Sequence, residues 1–201
     1  MKSKPPDRRT QADRSATTRE ALVRAGRELF AAHGYAGVGT EAIARAAGVT
    51  RGAMYHQFSD KTELFAAVFE QVEAEITDAI AVLVLAGPAD DPVEVMRLGA
   101  RAMLDACQQP DIGRITLEDA PSVLGWQRWR EIGLRYGLGL VVAVLTQAMD
   151  ADRIRRQPVV PLAHLLLGML DEAALYVSRA SDPVTARAEM DAVLDNLLTT
   201  L

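Results

Sequence analysis

The chain has 201 residues, 49% hydrophobic and 24% charged, a balance that supports a packed globular core and excludes an intrinsically disordered chain. The net charge of −5 conceals a split: residues 1–65 hold 11 Lys/Arg against 7 Asp/Glu, or +4, and the remainder is −9. One end is therefore suited to meet a polyanion and the other is not.

Residues 1–16 (MKSKPPDRRTQADRSA) are polar, basic and proline-containing, and they read as a disordered basic arm. Thr17 followed by Glu20 reads as a capping box. It opens a helix with Leu22, Ala25, Leu29 and Phe30 at helical intervals, stopped by His33-Gly34. Thr40-Glu41 starts a short helix ending at Ala47-Gly48, and Thr50 caps another that runs to about Phe58. Asp60 with Glu63 is a second capping box, opening a long helix whose apolar stripe includes Leu64, Phe65, Val68, Phe69, Val72 and Ile76. Gly87–Pro92 breaks the pattern. Helices then follow over about 93–108, from Ile112, from Pro121 to about Arg155, from Pro161 to about Arg179, and after the Asp182-Pro183 cap. No strand or repeat stands out. The expectation is an all-α chain of about nine helices: an N-terminal three-helix helix-turn-helix domain over 17–65, and a C-terminal helical bundle over 66–201.

Residues 40–58, TEAIARAAGVTRGAMYHQF, carry the functional reading. Two helices shorter than three turns cannot each bury a face alone, so they must pack on each other and on the first helix. Gly48 supplies the positive φ that such a tight turn needs. In this arrangement the second helix enters the DNA major groove and reads bases from its N-terminal residues.

The pattern Thr40…Ile43-Ala44…Ala47-Gly48-Val49-Thr50…Gly52…Tyr55…Phe58…Lys61…Leu64, with Leu29-Phe30…Gly34-Tyr35 upstream, resembles the N-terminal domain of TetR-family transcriptional regulators. The resemblance covers residues 18–65, and the rest of the chain is similar to the family only in length and helical layout. It implies a double-stranded DNA operator as partner. Residue chemistry agrees. Thr40 and Thr50 at helix N-termini offer hydroxyls and backbone N–H groups to phosphates. Arg51 is placed to bind guanine O6 and N7 bidentately. Gly52 and Ala53 permit close backbone approach, and the Ala53 methyl suits a thymine methyl. Tyr55, His56 and Lys61 match positions where the family touches phosphates, and Gln57 can do likewise. With Gly52 and Ala53 beside it, Arg51 is the one obvious base reader, which leaves part of the specificity to DNA shape.

Gly37-Val38-Gly39-Thr40-Glu41-Ala42 also fits the dinucleotide fingerprint, but a helix precedes it and no sheet surrounds it, so that reading fails. Cys107 is the single cysteine. It excludes an internal disulfide, points to a reducing cytoplasm, and reads as a buried small side chain, with a redox-sensing thiol as the alternative. His33 and His164 read as structural or surface residues, and neither a metal site nor a cofactor is expected. The basic N-terminus is not followed by an apolar run, so no signal peptide is expected. No stretch approaches the roughly 20 apolar residues that a membrane helix needs, so none is expected to cross one.

Met96, Met103, Trp126, Trp129 and Tyr136 are either lining for a pocket that takes a small-molecule effector or ordinary core, with Arg135 as an anionic anchor or a solvated side chain. Gly133, Gly137 and Gly139 imply close helix packing or room beside a cavity. Residues 161–180 are apolar around most of the helix and must be buried on several sides. A homodimer solves this, with Leu166, Leu170, Leu194 and Leu197 at its interface, and it spaces two recognition helices for a palindromic operator. The sequence therefore points to a cytoplasmic, ligand-responsive repressor that is not an enzyme. The alternatives are a helical ligand-binding or interaction module without DNA binding, and a helical enzyme, for which no catalytic constellation is visible.

Overall fold

A computed structural model describes residues 11–87 and 91–201. All regular secondary structure among the described residues is helical, with no strand among them. The chain divides after Val68 into two compact units.

The N-terminal unit is built from α1 (Gln11–Gly37), α2 (Thr40–Ala46), α3 (Arg51–Gln57) and the first turns of α4 (Lys61–Ala86). Residues 1–10 of the expected arm lie outside the described residues, whereas Gln11–Ala16 are helical. The helix thus starts six residues before the Thr17 box. Thr17 does not cap it: its hydroxyl donates back to the Asp13 carbonyl at 2.9 Å, as a threonine inside a helix does. The break at Gly34 is real, with φ 71° and ψ 162°. The core combines Leu22, Phe30, Ile43, Met54, Leu64 and Phe65, all fully buried. Phe30, Tyr35 and Phe65 form an aromatic triad with ring centroids 5.2–5.7 Å apart. The Asp60 cap expected at the start of α4 forms, with the Glu63 N–H donating to Asp60 at 2.9 Å.

The C-terminal unit holds the rest of α4, then α5 (Pro92–Cys107), α6 (Pro110–Gly113), a π-helical turn over Arg114–Asp119, α7 (Ala120–Asp150), α8 (Val159–Arg179) and α9 (Pro183–Thr199). Pro121 does not open α7 from a loop. Helix continues through 110–120, and the change of direction falls instead at Gly125, at φ 76° and ψ 157°. Ion pairs fasten α9 to α5, with Arg101 donating to Asp195 at 3.0 Å and Arg97 within 3.7 Å of the same carboxylate. The Asp182 cap forms as expected, accepting from the Thr185 N–H at 3.2 Å.

Contrary to the expectation above, the helical stretches Pro110–Asp150 and Val159–Arg179 are long and apolar enough, by length and composition alone, to cross a membrane. The reason is local. Residues 136–149 and 159–170 carry no Asp, Glu, Lys or Arg. Both stretches supply core here, through Leu145 and Ala148 on one and Leu162 and Ala163 on the other.

Candidate nucleic-acid interface and interior cavity

Gly48 carries the turn between α2 and α3 at φ 68°, a conformation that costs an L-residue about 1 kcal/mol or more. Thr50 then caps α3 by accepting the Ala53 N–H at 3.1 Å, and its exposed, rotatable O–H remains able to donate. Met54 and Ile43 are sealed into the core, which turns Thr50, Arg51, Gly52, Tyr55 and His56 to the exposed side. Ala53 and Thr40 are half-buried.

Arg51 bonds Glu41 of α2 at 3.1 Å and lies 5.5 Å from the Tyr55 ring. Both partners of that ion pair are mostly exposed, so it is weak and readily exchanged for a stronger acceptor. Hydrogen bonds from Thr40 and Arg51 hold the Tyr55 hydroxyl below its ordinary pKa. Lys61 behaves differently from a free surface lysine. Its Nζ donates to the Tyr35 carbonyl at 2.9 Å and the Val38 carbonyl at 3.0 Å, and it sits 3.9 Å from the Tyr35 ring. An ammonium has three donors, so one is left for a phosphate. Gln57 is also engaged, donating to Ser15 of α1 at 2.8 Å.

In the C-terminal unit a cavity of about 120 Å³ lies between α4, α5, α7 and α8. Of the six residues expected to line an effector site, Met96, Met103 and Trp129 line this cavity. Trp126 is 68% exposed and lines a separate outer groove with Arg135, whose guanidinium bonds Glu70 at 2.8 Å. Tyr136 lines neither. The glycines split by role. A side chain at Gly137 would press on Leu167 at 3.3 Å, so that position serves close packing, whereas at Gly133 the nearest atom is Glu73 Oε2 at 3.9 Å, beside the cavity.

Sequence reasoning overlooked the polar groups here. Glu73, Arg130 and Asp171 all line the cavity. The signal was available: Glu73 stands four residues after Phe69 and three before Ile76, on the apolar stripe of α4, and Asp171 interrupts the apolar run of α8. Arg130 bonds Asp171 at 2.6 Å and the His164 carbonyl at 3.0 Å. Burial pushes the Glu73 carboxyl up to about 7, helped by the charge of Asp171. Burial likewise lifts Asp171 to about 6 despite Arg130. Cys107 is buried, and its thiol is pushed up to about 12, which suits an inert core thiol rather than a redox sensor.

The residues expected at an interface also separate. Leu166 and Leu170 line the cavity. Leu194 is 3% exposed within its own chain's core, beside Leu104 and Leu117, while Leu197 is 46% exposed. Exposed apolar side chains of α8 and α9 further include Leu165, Tyr176 and Val193.

A helix-turn-helix with an exposed, donor-bearing second helix, followed by a separate helical unit, defines a DNA-binding transcriptional regulator. The chain belongs to the TetR family: residues 22–68 match the family model of bacterial regulatory proteins of the tetR family, and 93–201 match the tetracyclin repressor-like C-terminal domain. It is 23% identical to the Transposon Tn10 TetC protein of Escherichia coli over 92% of each chain. It is 40% identical to the HTH-type transcriptional regulator CymR of Pseudomonas putida over 45% of each. Among solved structures it resembles a TetR-family transcriptional regulator from Pectobacterium atrosepticum, with a TM-score of 0.82 and 31% identity over 94% of this chain and 96% of that one.

Proposed function

We propose that this regulator is a homodimeric, ligand-responsive repressor that binds a palindromic operator and is released from it by a small molecule held in the cavity of the C-terminal unit. It acts in the cytoplasm and performs no catalysis, in keeping with relatives that are named as transcriptional regulators and repressors. Residues 17–65 form the DNA-binding domain and 66–201 the effector and dimerisation domain.

The observation that carries the reading is the exposed set on and beside α3. Arg51 reads a guanine edge after exchanging Glu41 for it. Thr40, Thr50, Tyr55 and His56 hold phosphates, Gly52 and Ala53 admit the backbone closely, and Lys61 adds its third donor. Dimerisation is supported by the exposed Leu165, Tyr176, Val193 and Leu197 of α8 and α9, which a monomer would leave in water. An effector need only bind better to the conformation in which the two recognition helices no longer match successive grooves. Helix α4 carries residues of both units and is the element such a ligand would act through.

Selection of bound sequences from random DNA tests this directly. The expected product is a two-fold symmetric site, with affinity falling on the order of tenfold or more between 50 and 200 mM salt as counterions are released. A flat salt response or an asymmetric site would count against it.

A further inference from the structure

The cavity contains an electrostatic imbalance. Four titratable groups line it: Glu73 on α4, Cys107 on α5, Arg130 on α7 and Asp171 on α8. Arg130 is the lone cation among them, and it is committed to Asp171 and to the His164 carbonyl. Glu73 has no hydrogen-bond donor from any described residue, and its Oε2 faces the space beside Gly133. The buried Cys107 thiol stays neutral. Once Glu73 ionises, the half-buried site therefore carries a net charge of about −1 with no second cation among its lining residues, an arrangement that partial removal from water makes unfavourable. A neutral ligand leaves that charge in place, and an anion adds to it. A cation removes it.

Size narrows the class further. At about 120 Å³ the cavity is comparable to those of ~150 Å³ that admit one benzene ring. Phe69, Trp129, Leu145 and Leu166 supply apolar wall. We infer that the cavity takes a small hydrophobic amine, a single ring or short chain bearing one ammonium, with Glu73 as its counterion and Asp171 contributing through its field. The inference rests on the cavity being the effector site and names the chemical class of that effector.

The test uses the full chain and three probes of one shape: benzylamine, benzyl alcohol and benzoate, titrated by calorimetry. Benzylamine is expected to bind at least tenfold tighter than the other two. Glu73→Gln should erase that margin while leaving benzyl alcohol within about twofold. Affinity for benzylamine should also rise as pH is raised through 7, because Glu73 must lose its proton to pair with an amine that stays protonated; in Glu73→Gln that rise should vanish. Gly133→Leu, which projects into the cavity, should abolish binding of every probe. Equal or tighter binding of benzyl alcohol or benzoate, lost in Gly133→Leu, would overturn the amine class and leave the cavity as a ligand site. Binding of none, or binding indifferent to Gly133→Leu, would overturn both. Selective benzylamine binding that leaves operator affinity unchanged would uphold the class and refute its role in DNA release.

Discussion

Arg51, Lys61 and Glu73 show how a charged side chain acquires its role from what surrounds it. Arg51 is held by an exposed ion pair with Glu41 and by the neighbouring Tyr55, contacts that solvent weakens and that a guanine edge can replace. Arg51→Ala should cost about 1–3 kcal/mol at one base position and relax preference there; an equal loss on all DNA sequences in a binding assay would contradict that role. Lys61 is bound to two carbonyls of the segment after the α1 break. Its replacement by alanine should weaken binding to every sequence and also lower stability by about 1–3 kcal/mol in urea denaturation. Unchanged stability would show that the two bonds contribute nothing. Glu73 titrates near 7 in the fold against an ordinary 4.5. Its folded pKa is raised, so its protonated form stabilises the fold fully below about 4.5, and that contribution is lost as pH rises through 7. Glu73→Gln should therefore melt higher than the parent at pH 8, by up to about 3 kcal/mol, and the gap should close by pH 4.

At the scale of elements, the short helices were legible because their ends are written in specific residues. Gly48 supplies the only left-handed step between α2 and α3, and Thr50, Asp60 and Asp182 cap helices where the pattern placed them. Gly48→Ala meets no neighbouring atom, so it should cost only the conformational strain, about 1 kcal/mol, seen as a lower midpoint in denaturant. A loss several times larger would mean that the turn packs against something not apparent here. The start of α1 and the course of 110–125 were not legible. A threonine followed by glutamate three residues on signals a cap only if the preceding residues fail to extend the helix, and Gln11–Ala16 do extend it. The π-helical turn at Arg114–Asp119 goes with a tertiary bond, Trp129 donating to the Thr116 carbonyl at 3.1 Å, which no local pattern encodes, and the bend at Gly125 rests on one positive-φ glycine inside an otherwise helical run. The cavity was half legible for the same reason. Periodicity finds methionines and tryptophans on an apolar stripe, but it treats Glu73 and Asp171 as interruptions of that stripe, when they are the polar part of what it encloses.

Over the whole molecule, the uneven charge has a structural counterpart: a unit ending at Val68 that presents arginine, threonine and tyrosine, and an acidic unit that follows. Burial within the chain refines the expected assembly. Leu194→Glu would place a charge in the core beside Leu104 and Leu117 and should unfold the C-terminal unit, whereas Leu197→Glu or Leu165→Glu should leave it folded and give monomers in sedimentation. A folded dimer in both latter variants would exclude this face as the interface.

The bond between Ser15 and Gln57 bears on where the chain can be cut. A shortened protein beginning at Thr17 would keep all of α2 and α3. It would nonetheless lose the side-chain tether from Ser15 of the first helix to Gln57, the final residue of α3. That shorter protein should fold, yet hold its recognition helix less firmly at the end away from Arg51.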